Sequence, residues 1–100
     1  MADLPKGMMQ QLQQMQAQLV QAQEELKIQT VSAAAGGGAV KITLTGDQRC
    51  TAVLIDPDVL QDADAEMLQD LIMTALNTVL EDSRNLAAER LGPLSQGLNL

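Results

Sequence analysis

One hundred residues, 46% of them apolar and with a net charge of −7, describe one folded domain rather than a disordered chain. Phe, Tyr, Trp and His are absent and Cys50 stands alone, which excludes an internal disulfide, a histidine-activated nucleophile and a Cys/His zinc site. No apolar run approaches the ~20 residues that span a bilayer. Met1-Ala2-Asp3 is acidic and no secretory signal follows it. A cytoplasmic, non-enzymatic chain without membrane, metal or cofactor is therefore expected. A core without aromatic side chains also gives up much burial, and small domains commonly recover it by oligomerising.

The first predicted element is a helix over about 6–27. Met8, Leu12, Met15, Leu19, Ala22 and Leu26 recur at spacings of 4 and 3, an a/d seam. The intervening glutamines are good helix formers without charge, and Pro5 suits the first turn. At ~1.5 Å per residue this helix is about 33 Å long. It is too long for the rest of the chain to cover and should protrude, so a partner helix is the expected cover and the six seam residues are the candidate dimer interface.

Strands are expected over about 28–34, 39–45 and 50–55. Val40-Lys41-Ile42-Thr43-Leu44-Thr45 alternates strictly. Ala33 to Gly38 reads as a flexible turn, and Gly46-Asp47 as a second. The third strand is apolar on both faces, which points to a central or doubly covered position. Two successive hairpins make a three-stranded antiparallel meander.

Asp56-Pro57-Asp58 ends the sheet, and Asp62, Asp64 and Glu66 precede a helix over about 64–91. Acids there complement the positive end of the helix dipole. Leu68, Leu71, Ile72, Ala75, Leu76, Val79 and Leu80 form its apolar face. Asn77 stands among them, either fixing a dimer register or lying at the edge of the face. Gly92-Pro93 should stop the helix and leave a flexible tail over 92–100. The whole is one α+β domain over 1–100 in the order α-β-β-β-α.

Three tempting motifs carry no chemistry. Gly36-Gly37-Gly38 lacks the Gly-Lys-Ser/Thr ending of a phosphate loop and leads into a strand. Asp56, Asp58, Asp62, Asp64 and Glu66 lack the central glycine and offsets of a calcium loop. Cys50 is expected to be a packed or half-buried thiol.

Charge is distributed unevenly. In residues 1–54 four cations balance four acids, while residues 55–100 carry Arg84 and Arg90 against nine acids. A polyanionic partner is not advertised by net charge, so any such contact must use a local patch.

Taken in order, the Gln/Met-rich helix, Gly38-Ala39-Val40-Lys41-Ile42-Thr43-Leu44-Thr45-Gly46, Val53-Leu54-Ile55-Asp56-Pro57, Met67-Leu68-Gln69-Asp70-Leu71-Ile72 with Ala75-Leu76-Asn77, and Leu94-Ser95-Gln96-Gly97-Leu98 resemble the YbaB/EbfC nucleoid-associated proteins of bacteria. The resemblance spans almost the whole chain. It implies an α-β-β-β-α protomer that dimerises, with helices projecting from the paired sheets like tweezers. It also implies a non-enzymatic, nucleoid-associated DNA-binding protein with roles in nucleoid organisation and gene regulation. The DNA contacts it implies are Lys6, Lys27, Arg84 and Arg90, touching the backbone with little base readout. Relatives known for DNA binding interleave lysines among the glutamines of the first helix, whereas here Lys6 and Lys27 stand only at its ends. Weaker DNA binding is expected for that reason. An acidic protein-interaction or assembly module on the same fold is the alternative.

Overall fold

The computed structural model describes residues 5–62 and 64–97, and of 95–97 the backbone alone. The elements are α1 (Lys6–Leu26), β1 (Thr30–Ala35), β2 (Val40–Thr45), β3 (Cys50–Ile55), α2 (Pro57–Asp62) and α3 (Ala65–Gly97). The strands form one antiparallel sheet in the order β1-β2-β3. The molecule is 71 Å long and about 20 Å across, with a radius of gyration of 19.9 Å. A compact chain of this length would have about 13 Å, and the difference is the long helices running out from the sheet.

The core follows from the alternation of β2. Val40, Ile42 and Leu44 are buried on the face that α3 covers, together with Ala33 and Ala35 of β1 and Ala75 and Val79 of α3. Lys41 and Thr43 point the other way, where Thr43 shares a 2.7 Å hydrogen bond with Ser32.

Several expectations are corrected. β1 runs on to Ala35, through alanines that also read as turn, because the small side chains of Ala33 and Ala35 let α3 lie close to the sheet. The chain reverses over Gly36, Gly37 and Gly38, all at positive φ, a region that favours glycine. β1 begins only at Thr30, because Ile28 and Gln29 donate back to Glu25 in a closing turn of α1. Ile28 is left 77% exposed.

β3 is an edge strand, not a central one. α3 packs on β1 and β2 and leaves the neighbouring strip uncovered. Val53 and Leu54 are 52% and 61% exposed. Cys50, at the start of this edge, is exposed rather than packed.

The acids after β3 cap two helices instead of one. Asp56 Oδ1 accepts from the Asp58 backbone N–H at 3.0 Å, starting α2 behind Pro57. Asp64 Oδ1 accepts from the Met67 N–H at 2.8 Å and caps α3. Asn77 is exposed, at the edge of the apolar face.

α3 does not stop at Gly92-Pro93 but continues to Gly97. Proline there forgoes one backbone hydrogen bond. Pro93 and Leu94 line a cleft with Gln18, Gln21 and Ala22, so α3 runs on beside α1 through the proline. Of the tail expected over 92–100, residues 98–100 lie outside the described residues. Gly92 has nothing within 4 Å of the place a Cβ would take. Gly92→Ala should therefore raise stability by about 0.5–1 kcal/mol in urea unfolding, and a loss of stability would contradict a helical conformation there.

Candidate nucleic-acid interface

Three separate tethers bring distant cations to one end of the sheet. The Gly46 N–H donates to the Gln29 carbonyl at 2.9 Å, which ties the β2–β3 turn to the end of α1. Leu26 lies directly over Gly46. Ser83, fully buried, donates from Oγ to the Thr45 carbonyl at 2.8 Å and pins α3 to the same turn. The turn itself is tight. Arg49 N–H donates to Thr45 Oγ1 at 3.0 Å, the Thr45 hydroxyl donates to Asp47, and Gln48 sits at φ 67°.

These tethers gather Lys27 at the end of α1, Arg49 in the turn and Arg84 one residue past Ser83 on α3. All three are exposed. Lys27 pairs with Glu24 at 3.1 Å, side chains that are both more than half exposed. Such a pair is worth little and exchanges readily for another anion. Among the described residues, neither Arg49 nor Arg84 forms an ion pair. Glu81, three residues before Arg84 on α3, forms no ion pair with it among the described residues.

The other sequence-predicted cations fall elsewhere. Arg90 pairs with Glu25 across the α1–α3 cleft, and its buried Nε has no hydrogen-bond partner among the described residues. It therefore braces α1 against α3. Lys6 opens α1, about 30 Å from Lys27 along the helix. Arg49, beside the sheet, is a further cation that the resemblance allows as a DNA contact. The tether from Gly46 to Gln29 and the packing of Leu26 over Gly46 bring its turn against the end of α1, and turn residues alone carry no such signal. Glu24, Glu25, Asp47, Glu81 and Asp82 share this end of the molecule, so the cations stand at one end of the sheet within a mixed surface.

The candidate dimer seam divides in three. Ala22 and Leu26 are buried within the chain itself, Met15 and Leu19 are half-buried, and Met8 and Leu12 are 49% and 41% exposed. α3 accompanies the second half of α1 and covers Ala22 and Leu26 there, so of the six seam residues it is Met8 and Leu12 that stay open.

No helix of the described residues is long and apolar enough to cross a membrane. Among those residues no group of three His, Cys, Asp or Glu side chains is placed to hold a metal ion.

Comparison with known proteins fits this architecture. A crystal structure of an uncharacterized protein, HP0035 from Helicobacter pylori, superposes with a TM-score of 0.62 at 27% identity, covering 74% of this chain and 86% of that one. A nucleoid-associated protein of Syntrophobacter fumaroxidans is 42% identical over 92% of this chain and 84% of its own length. One from Corynebacterium glutamicum is 46% identical over 88% of this chain and 85% of its own. A sequence model described as the YbaB/EbfC DNA-binding family matches residues 1–98. A match over nearly the whole length, joined to the α-β-β-β-α order with its long first helix, places this chain in the YbaB/EbfC DNA-binding family.

Proposed function

We propose that this protein is a homodimeric, nucleoid-associated DNA-binding protein of the bacterial cytoplasm, which holds the DNA backbone rather than reading bases. Membership of the family supports DNA as the partner. What supports the site is that Lys27, Arg49 and Arg84 stand on or next to elements tethered to the Thr45–Arg49 turn. Lys6 at the tip of α1 extends the same reading outward, and Arg90, held by Glu25, sets the angle between the helices that present the cluster. The cofactor complement is none, and the chemistry is binding alone.

Dimerisation doubles the cluster. Three cations per protomer give about six phosphate contacts per dimer, and a log–log salt slope of about −5. Affinity should then fall about a thousandfold between 50 and 200 mM salt. Arg84→Ala removes two contacts per dimer and should flatten the slope by about two. A gel-shift titration at low salt checks this; no retardation at micromolar dimer would sink the DNA reading.

Exposed apolar surface supports the homodimer. Met8 and Leu12 on α1 and Val53 and Leu54 on β3 lie open in the single chain. Stable pairing needs roughly 1,200–2,000 Å² of buried surface, more than the first turns of α1 offer by themselves. We therefore assign the interface to both the seam and the β3 side of the sheet.

The far end of the molecule favours a second reading, that of a protein-interaction module on the same fold. Residues 56–70 hold six acids and no Lys or Arg, which repels phosphate and suits a protein partner.

A further inference from the structure

At that acidic end, between the β1–β2 turn, α2 and the start of α3, lies an open cleft of about 310 Å³. Its floor is apolar, made by Ala39, Val59, Met67 and Leu71. Asp58 and Asp62 stand on its rim. Asp56 and Asp64 accept helix-capping hydrogen bonds, which accounts for their place in the acid run. Asp58 and Asp62 accept no hydrogen bond and form no ion pair among the described residues. They are four residues apart on α2, an arrangement of like charges that weakens a helix by a few tenths of a kcal/mol. A short helix with two carboxylates so placed beside an apolar floor gains from a cation that sits between them.

We propose that this cleft docks a basic peptide segment of another protein, with one apolar side chain seated on Met67 and Leu71 and flanking lysines or arginines against Asp58 and Asp62. Charge complementarity selects this occupant. DNA is repelled by the same carboxylates, and a divalent ion would find no third carboxylate among the described residues. A neutral apolar ligand would leave both charges unanswered. The tip of a second copy's α1 offers Lys6 beside Met8 and Met9, a single cation against six acids. The site goes beyond the DNA reading and does not depend on it, because the cation cluster lies at the opposite end of the sheet from α2.

The test uses the full chain and a fluorescently labelled synthetic peptide, Gly-Lys-Leu-Lys-Gly-Lys-Leu-Lys-Gly, followed by anisotropy. Binding should be in the tens of micromolar, on the order of weak peptide recognition, at low salt and should weaken as salt rises. Asp58→Asn with Asp62→Asn should weaken it about tenfold or more, and Met67→Gln, at an exposed position, about fivefold. Replacing the peptide leucines by serine should weaken it about tenfold, while Arg84→Ala leaves it unchanged. Gel shift of DNA by the Asp58/Asp62 double variant should be undiminished, so loss of DNA binding and loss of peptide binding are separable. Equal binding of the serine peptide, equal binding to the double variant, or no binding at about a millimolar concentration would each overturn the proposal. So would a change in sedimentation coefficient of the double variant, which would assign the cleft to a second copy of the chain.

Discussion

Replacing Gly46 by alanine should lower stability by about 2–3 kcal/mol, although the change adds only one methyl group. Gly46 is buried where α1 meets the β2–β3 turn, and its N–H is committed to the Gln29 carbonyl. A Cβ there would lie 2.5 Å from Leu26 Cδ2, 3.1 Å from the Leu26 carbonyl oxygen and 3.2 Å from Leu26 Cβ. The Cδ2 methyl could swing aside, but the carbonyl and Cβ move only with the backbone of α1. Leu26 is 3% exposed and has no empty space to enter. The helix must therefore shift away from the sheet, loosening the joint that also holds Lys27 beside Arg49. Gly37→Ala is the control. It meets nothing within 4 Å but sits at φ +68°, so it should lose about 1 kcal/mol from backbone strain alone. Urea unfolding at fixed protomer concentration measures both. A loss below about 0.5 kcal/mol for Gly46→Ala would show that α1 is not seated on this turn.

Where local pattern decides structure, the sequence was readable. The strict alternation of Val40 to Thr45 identifies the buried face, since Val40, Ile42 and Leu44 are the residues under α3. The 3.6-residue period of Leu68 to Leu80 likewise finds the face that carries Ala75 and Val79. Where tertiary contacts decide, the reading fails in recognisable ways. Ala33 to Ala35 also look like a turn because alanine is a weak strand former beside three glycines, and α3 packs on Ala33 and Ala35 of the strand they form. The helix runs through Pro93, a local breaker, on the side of α3 that shares a cleft with α1. A six-residue helix such as α2 is too short to show a period at all. Arg49 joins the cation cluster through one backbone hydrogen bond, between residues far apart in sequence.

β3 has the apolar faces of a central strand yet lies at the edge of the sheet in one chain, and that mismatch bears on the proposed dimer. Its residues, Cys-Thr-Ala-Val-Leu-Ile, include no charge and no proline. Edge strands normally carry such residues, because an open apolar edge invites aggregation. The one irregularity is a register shift near Thr43/Leu44, which skips Thr51 on the opposite strand. An edge so little protected makes physical sense if a second protomer covers it. Val53→Asp should then raise the dimer dissociation constant about a thousandfold. The substitution occurs twice per dimer, and each copy loses roughly 2 kcal/mol by placing a carboxylate in a dry contact. The protomer should still fold, since Val53 is 52% exposed without a partner. Leu12→Asp, on the open part of the seam, should act in the same direction but less, about tenfold to a hundredfold, because fewer neighbours surround it. Sedimentation equilibrium of both variants separates the two surfaces. Parent-like association of Val53→Asp would remove the sheet from the interface, and a parent chain monomeric at about 100 µM would remove the dimer itself. The consequence for DNA follows from counting. A monomer presents one cluster of Lys27, Arg49 and Arg84 instead of two, so the salt slope of Val53→Asp should fall from about −5 to about −3. In the proposed dimer, symmetry would thus bring two sets of these cations to one DNA, which is what the steeper slope would report.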